Sequence, residues 1–326
     1  MKVEQKLEHN VLKRTFIGYK TEFTMLLLFA VFFIAMSFAS EYLLTQQNIL
    51  NILSQISANS MLAIGMTFVI ITGGIDLSVG GILGLSGMVG SMVLMKTQNI
   101  TLSVAIIFLV AIFVGFVNGL LIGYMKMPAF IVTMSTCEIC RSLDYVISNA
   151  NTARGFPEAY QLVGKGKIGG VLPVYVILIV VLFGVGIFIL SRTKFGRYTY
   201  AIGSNAYAAE LSGINVRLQT MLVYVYSGFM CAFGAWIMTS RLMACDTTYG
   251  NGNEMDAIAA AVIGGVSMSG GKGSLWGTFI GIVLVGCLRN ALNLLGMDPY
   301  WQGTALGVVI IVAVLAERLT ASSKRS

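Results

Sequence analysis

Gly73-Gly74-Ile75-Asp76-Leu77-Ser78-Val79-Gly80 joins two apolar runs, residues 52–72 and 75–95, each close to the about 20 residues that cross a bilayer as a helix. Paired glycines let the backbone turn, and the polar groups freed by a turn inside a membrane must find partners within the protein. The stretch therefore reads as a helix break at membrane depth. Asp76 follows the break directly, where its carboxylate can cap the N–H groups that open the next helix or meet a transported molecule. Both roles stay open. A second stretch, Gly264-Gly265-Val266-Ser267-Met268-Ser269-Gly270-Gly271, lies in the same setting between runs at 255–267 and 275–295. Broken helices at matching places in two halves mark the internal repeats from which transporters are built. The pairing aligns Gly73 with Gly264.

Working outward, further apolar runs lie at 25–44, 102–124, 128–148, 172–190, 218–240 and 300–316. The expectation is an all-α polytopic membrane protein of about ten transmembrane helices, with broken helices and an internal repeat. Composition agrees, with 56% hydrophobic and 11% charged residues, about half the charged share of a soluble domain. No polar linker divides the chain. One transmembrane domain is expected at 25–317, between an N-terminal tail (1–24) and a C-terminal tail (318–326), with a cytoplasmic loop at 192–217. Ser37-Phe38-Ala39 has the look of a signal-peptidase site, but the apolar run exceeds the about 7 to 15 residues of a signal peptide, so it is expected to stay in the membrane.

Lys and Arg set the orientation. With the N-terminus inside and ten spans, fourteen fall in inner segments and five in outer ones, which places both termini in the cytoplasm. The net charge of +7 is scattered between spans, so it is assigned to topology and no nucleic-acid partner is expected.

The inventory argues against enzymatic chemistry. The only histidine, His9, lies in the polar tail, so no Ser-His-Asp, Cys-His or His-rich metal site can be assembled. Gly270-Gly271-Lys272-Gly273-Ser274 approaches a phosphate loop, but the first glycine of that pattern falls on Val266, and Gly273 follows the lysine. Cys137 and Cys140 form a C-x-x-C inside an apolar span, and all five cysteines are expected as free thiols. No catalytic residue, metal or cofactor is expected.

Charged residues at membrane depth are costly. They are Asp76, Glu138, Arg141, Asp144, Asp256 and Arg289. The spacing of Glu138, Arg141 and Asp144 predicts a cluster in which one arginine neutralises two acids. Candidates to line a substrate pathway are Asn59, Thr67, Thr72, Asp76, Ser78, Asn118, Asn290 and Asn293, which could equally hold helices together. In the inner loop, Ser204 or Asn205 serves as an N-cap, residues 206–212 form a short helix and Gly213 stops it, giving about 13 Å of helix outside the bilayer. Ala208, Ala209 and Glu210 leave it little bulky apolar face for lipid. A docking element is expected.

Taken together, these residues resemble the permease subunits of ribose-type ABC sugar importers. The pieces are Asn59-Ser60-Met61-Leu62-Ala63-Ile64-Gly65-Met66-Thr67 leading into Gly74-Ile75-Asp76-Leu77-Ser78-Val79-Gly80; Thr193-Lys194-Phe195-Gly196-Arg197-Tyr198 with Gly203-Ser204-Asn205; Met255-Asp256-Ala257-Ile258-Ala259-Ala260; and Asn290-Ala291-Leu292-Asn293-Leu294-Leu295-Gly296. The resemblance covers about residues 47–316 in the right order. It implies a binding-protein-dependent importer in the bacterial inner membrane, moving a monosaccharide by alternating access: a pentose such as ribose first, a hexose or small polyol next. It also implies two permease copies, cytoplasmic ATPase subunits and a periplasmic or lipid-anchored sugar-binding protein. The ATPase-coupling residues would be Arg197, Gly203, Ser204, Asn205, Ala208, Ala209, Glu210, Ser212 and Gly213. This sequence departs from the family around Cys137 to Asp144, which is more charged than usual, and in the loop before Glu254, which lacks an expected proline. The alternative is an ion-coupled secondary transporter that uses Asp76, Glu138, Asp144 or Asp256 as proton carriers.

Overall fold

The computed structural model describes residues 44–298, 301–304, 307–308, 311 and 315. Both tails and the run expected at 25–44, apart from Leu44, lie outside the described residues, and the run at 300–316 is described only in part. Each of the other expected runs is a helix. In chain order these are α1 (Gln46–Ile71), α2 (Val79–Thr97), α3 (Ile100–Gly123), α4 (Ala129–Ser148), the single turn α5 (Leu162–Lys165), α6 (Val174–Arg192), α7 (Lys194–Ser204), α8 (Ala206–Leu211), α9 (Val216–Leu242), α10 (Asn253–Ile263) and α11 (Leu275–Leu294). Six of them, α1, α2, α3, α6, α9 and α11, are long and apolar enough to cross a membrane. Charge sets α4 apart and length sets α10 apart.

Caps explain the boundaries. α1 starts earlier than its apolar run because the Thr45 hydroxyl accepts the Asn48 N–H at 3.3 Å, so its first turn can be polar. Asn99 caps α3 through Leu102 N–H at 3.0 Å, and Ser274 caps α11 through Gly277 N–H at 3.1 Å.

α1 is the central post, with residues 60–71 buried on every side by α9, α10, α11 and α6. Without a hydrophobic drive between helices in lipid, close backbone approach through small residues holds such a bundle. Gly115, Gly119 and Gly123, one turn apart on α3, do this against α9, where a Cβ would press into the backbone of Tyr224, Met221 and Arg217. Gly281 of α11 does the same against Ala260 of α10. The segment between α4 and α6 is folded: β1 (Ala153–Arg154) pairs antiparallel with β4 (Ala244–Cys245), and β2 (Lys167–Ile168) with β3 (Leu172–Pro173). It is latched to the end of α9, where Gly164 N–H donates to Ser240 Oγ at 2.9 Å and the Tyr160 and Thr239 hydroxyls share a hydrogen bond of 2.7 Å. The five cysteines are unpaired and buried.

Candidate functional site at the two helix breaks

α1 and α10 end in the same way. Gly73 and Gly265 take φ of +86° and +83°, and the next residue donates back across the turn, Gly74 N–H to Val69 O at 3.1 Å and Val266 N–H to Ala261 O at 2.9 Å. Each is a glycine-stopped helix end that satisfies its own free carbonyls. The equivalent glycines are therefore Gly73 and Gly265, which corrects the sequence alignment by one residue: Gly264 occupies the place of Thr72.

The two breaks touch. Gly271 N–H donates to Ile71 O at 2.8 Å, and Gly270 lies against the backbone of both Gly73 and Gly203. A Cβ on Gly203 would overlap the Ile71 carbonyl oxygen and the Gly271 nitrogen. Tyr200 of α7 adds a hydrogen bond to Gly273 O at 2.7 Å. Gly203 is thus a glycine because three backbones meet there, and the end of α7 is fitted into both breaks.

α8 follows at once. Asn205, rather than Ser204, is the cap, its side chain accepting Ala208 N–H at 2.9 Å, and Gly213 stops the helix at φ +82° with Ile214 N–H returning to Ala209 O at 3.1 Å. The helix ends at Leu211, and Ser212 is its C-cap. Ala209 is buried, whereas Ser204, Ala208, Glu210 and Ser212 are exposed and Arg197 turns to Arg192 O at 3.3 Å. The helix does carry bulk: Tyr207 and Leu211, one turn apart, are 72% and 73% exposed. Sequence reasoning passed over this pair, although the spacing of four was legible. The preceding helix α7 was also missed, since Thr193 both ends α6 and caps α7.

On the other side of the first break, Asp76 is buried with both carboxylate oxygens engaged. Oδ1 accepts the Ser78 N–H at 3.0 Å and the Ser78 hydroxyl, and Oδ2 accepts the Ser227 hydroxyl of α9 at 2.8 Å. Asn118 of α3 donates to Ser78 Oγ at 2.8 Å and accepts from Thr136 of α4 at 2.7 Å. The carboxylate thereby ties the backbone just before α2 to α9 and starts a polar chain from the break to α4.

The other pathway candidates are engaged as well. Asn59 donates to Asp256 at 2.7 Å, and Arg289 pairs with the other oxygen of Asp256 at 2.6 Å. Thr67 meets Thr278 at 2.8 Å, Thr72 turns to Val69 O at 2.6 Å, Asn290 forms a reciprocal amide pair with Asn48 at 2.9 Å, and Asn293 accepts from Gln302 at 2.6 Å. The expected cluster on α4 is different. Arg141 pairs with Glu254 of α10 at 2.8 Å and with Glu138 at 3.5 Å, while Asp144 is buried on the face of α4 that packs beside Gly84 of α2. A spacing of three puts neighbours about 60° apart around a helix, so two steps from Glu138 carry Asp144 away from it. Two of the four carboxylates proposed as proton carriers, Asp76 and Asp256, are thus held by hydroxyl, amide or guanidinium groups, and Glu138 is only loosely paired.

A bundle of membrane-crossing helices in which α1 and the shorter α10 end in the same glycine-stopped turn, both turns meeting the end of the short helix α7, is the build of a transport permease. The chain belongs to the family described as branched-chain amino acid transport system / permease component, whose model matches residues 48–314. It is 41% identical to the ribose import permease protein RbsC of Haemophilus influenzae over 85% of this chain and 87% of that protein. It is 41% identical to the same-named protein of Bacillus subtilis over 87% and 89%, and 37% identical to the D-allose transport system permease protein AlsC of Escherichia coli over 92% and 91%. No solved structure matches the chain. The resemblance to ribose-type ABC permeases read from the motifs is borne out by these relatives.

Proposed function

We propose that this chain is the membrane path of a monosaccharide importer, a pentose such as ribose ahead of a hexose or small polyol, and that it moves sugar by alternating access without an ATPase site of its own. The observation that carries this reading is the junction of α7 with both breaks. A force applied to α8 from outside the bundle acts on the ends of α1 and α10 at once, because Gly203, Ile71 and Gly271 are in backbone contact. Interfaces so closely packed repack between discrete arrangements rather than bend. Tyr207 and Leu211 are the side chains α8 offers to a groove of a cytoplasmic ATPase. Two copies of the chain in the bacterial inner membrane, both termini cytoplasmic, would receive sugar from a periplasmic or lipid-anchored binding protein. The sequence similarity to ribose and allose permeases supports the choice of substrate class.

The test is uptake of labelled ribose into cells carrying the complete importer. Uptake should stop on ATP depletion and persist with an uncoupler while ATP is maintained. Uptake abolished by the uncoupler at constant ATP would restore the ion-coupled reading.

A further inference from the structure

The helix α4 has three faces. One packs on α2, with Cys137 and Cys140 against Gly81 and Asp144 beside Gly84. A second, Ile139, Leu143 and Val146, is exposed and apolar as a lipid-facing surface must be. The third is exposed and polar: Ser135, Glu138, Ser142 and Tyr145, at steps of three, four and three, make one line about 15 Å long. Half the thickness of a bilayer core is therefore lined by hydroxyls and a carboxylate on the outside of the protomer. Such groups belong in water or against a polar partner, not against acyl chains.

Beside this line opens a cavity of about 480 Å3 bordered by Glu138, Arg141, Ser142, Tyr145, Asn251 and Glu254. Arg141 is held in place by Glu254, whose side chain is 11% exposed, at 2.8 Å. Its Nε is buried and has no hydrogen-bond partner. Glu138 stays 69% exposed and only loosely paired, at 3.5 Å. A fixed guanidinium, a free carboxylate, two hydroxyls, an amide and one aromatic ring present donors and acceptors in alternation. That is the complement of a neutral polyhydroxyl molecule, each of whose hydroxyls both donates and accepts. None of these residues is among the pathway candidates drawn from the sequence.

We propose that the polar line of α4, with Arg141 and Asn251, is the wall of the transport path that meets the sugar, Glu138 accepting from its hydroxyls and Arg141 donating to them. The proposal rests on the importer reading. Two substitutions test it in the complete importer reconstituted in vesicles, probed with a water-soluble maleimide against the low background of buried native thiols. Ser142→Cys should be labelled, Ile139→Cys should not, and ribose with its binding protein and ATP should slow labelling at 142 several-fold. In the same vesicles Glu138→Gln should lower ribose uptake roughly tenfold, the size of one charge-assisted hydrogen bond, with unchanged ATPase assembly. Labelling at 142 as slow as at 139 would place the line against lipid or a second copy. Labelling that ignores sugar would make it a solvated face outside the path. Either result, or full uptake by Glu138→Gln, overturns the proposal. Absence of sugar uptake by the unsubstituted importer would instead sink the importer reading, leaving the contrast between 142 and 139 to decide whether the line faces water.

Discussion

Arg141 reaches from α4 to Glu254 on α10, so a charge that looked local in sequence joins two elements more than a hundred residues apart. Removing the guanidinium leaves a buried carboxylate without its counter-charge, a loss of about 3–5 kcal/mol when such a pair is fully buried. Arg141 is 28% exposed, which sets the expectation at the low end or below. Arg141→Met should lower the thermal midpoint of the detergent-solubilised protein, and Glu254→Gln added to it should restore part of the loss. Asp144→Asn should not restore it. Equal repair by Asp144→Asn would return the cluster to α4 alone. Outside the spans, Asp246 accepts the Thr152 hydroxyl at 2.7 Å and the Thr248 N–H at 3.0 Å, and these bonds hold its carboxyl below the usual 3.8. A depressed pKa contributes stability that is complete above the unfolded value and lost as pH falls from there through the folded value. Thr152→Val should therefore reduce the thermal midpoint at neutral pH, and the gap from the parent should close in the acid range below pH 3.8. A gap that widens there would reverse the assignment.

At the scale of elements, α8 is the part whose role is most exposed to test. Gly213 sits at φ +82°, a conformation that a β-branched side chain resists, so Gly213→Val should unwind the stop and misplace the helix. Tyr207→Ala with Leu211→Ala leaves the backbone intact and removes only the exposed pair. Both variants should insert at normal abundance yet lose co-purification with the ATPase and the hydrolysis stimulated by sugar-loaded binding protein. The paired alanine variant retaining its ATPase would move the docking surface elsewhere on the 192–217 loop. The α3–α9 seam makes a contrasting prediction. Gly119→Val would press into Met221 and cost about 1–3 kcal/mol by overpacking, seen as reduced abundance with coupling preserved in whatever protein remains.

For the whole molecule, the orientation argument rests on the distribution of basic residues and is checked by cysteines placed at Asn151, exposed just after α4, and at Ser323 in the tail. A membrane-impermeant reagent added outside intact cells should label 151 and not 323. The reverse would invert the bundle, moving α8 to the far side from any cytoplasmic ATPase. Within the bundle the polar chain Asp76-Ser78-Asn118-Thr136 joins the first break to α4, the route by which, on the proposed function, a shift of α8 would reach the polar line of α4. Asn118→Leu should break that chain and slow transport while the ATPase remains bound.

The class of fold, the runs that become helices, the existence and glycine stop of α8 and the presence of two breaks were determined by the sequence alone. Those features depend on periods and residue types within about 20 neighbouring residues: apolar length, glycine where φ is positive, Asn or Thr where N–H groups need an acceptor. Which residues do what was decided only by tertiary structure. Asn59, Asn118 and Asn290 read equally as pathway residues or as ties between helices, and only packing supplied their partners; Arg141 read as the partner of both Glu138 and Asp144 until α10 brought Glu254 to it. Gly203 gave no local sign of its position between Ile71 and Gly271. A polar side chain in a membrane is satisfied by whatever the fold places within about 3 Å of it, and that choice depends on contacts between segments that the chain order keeps far apart.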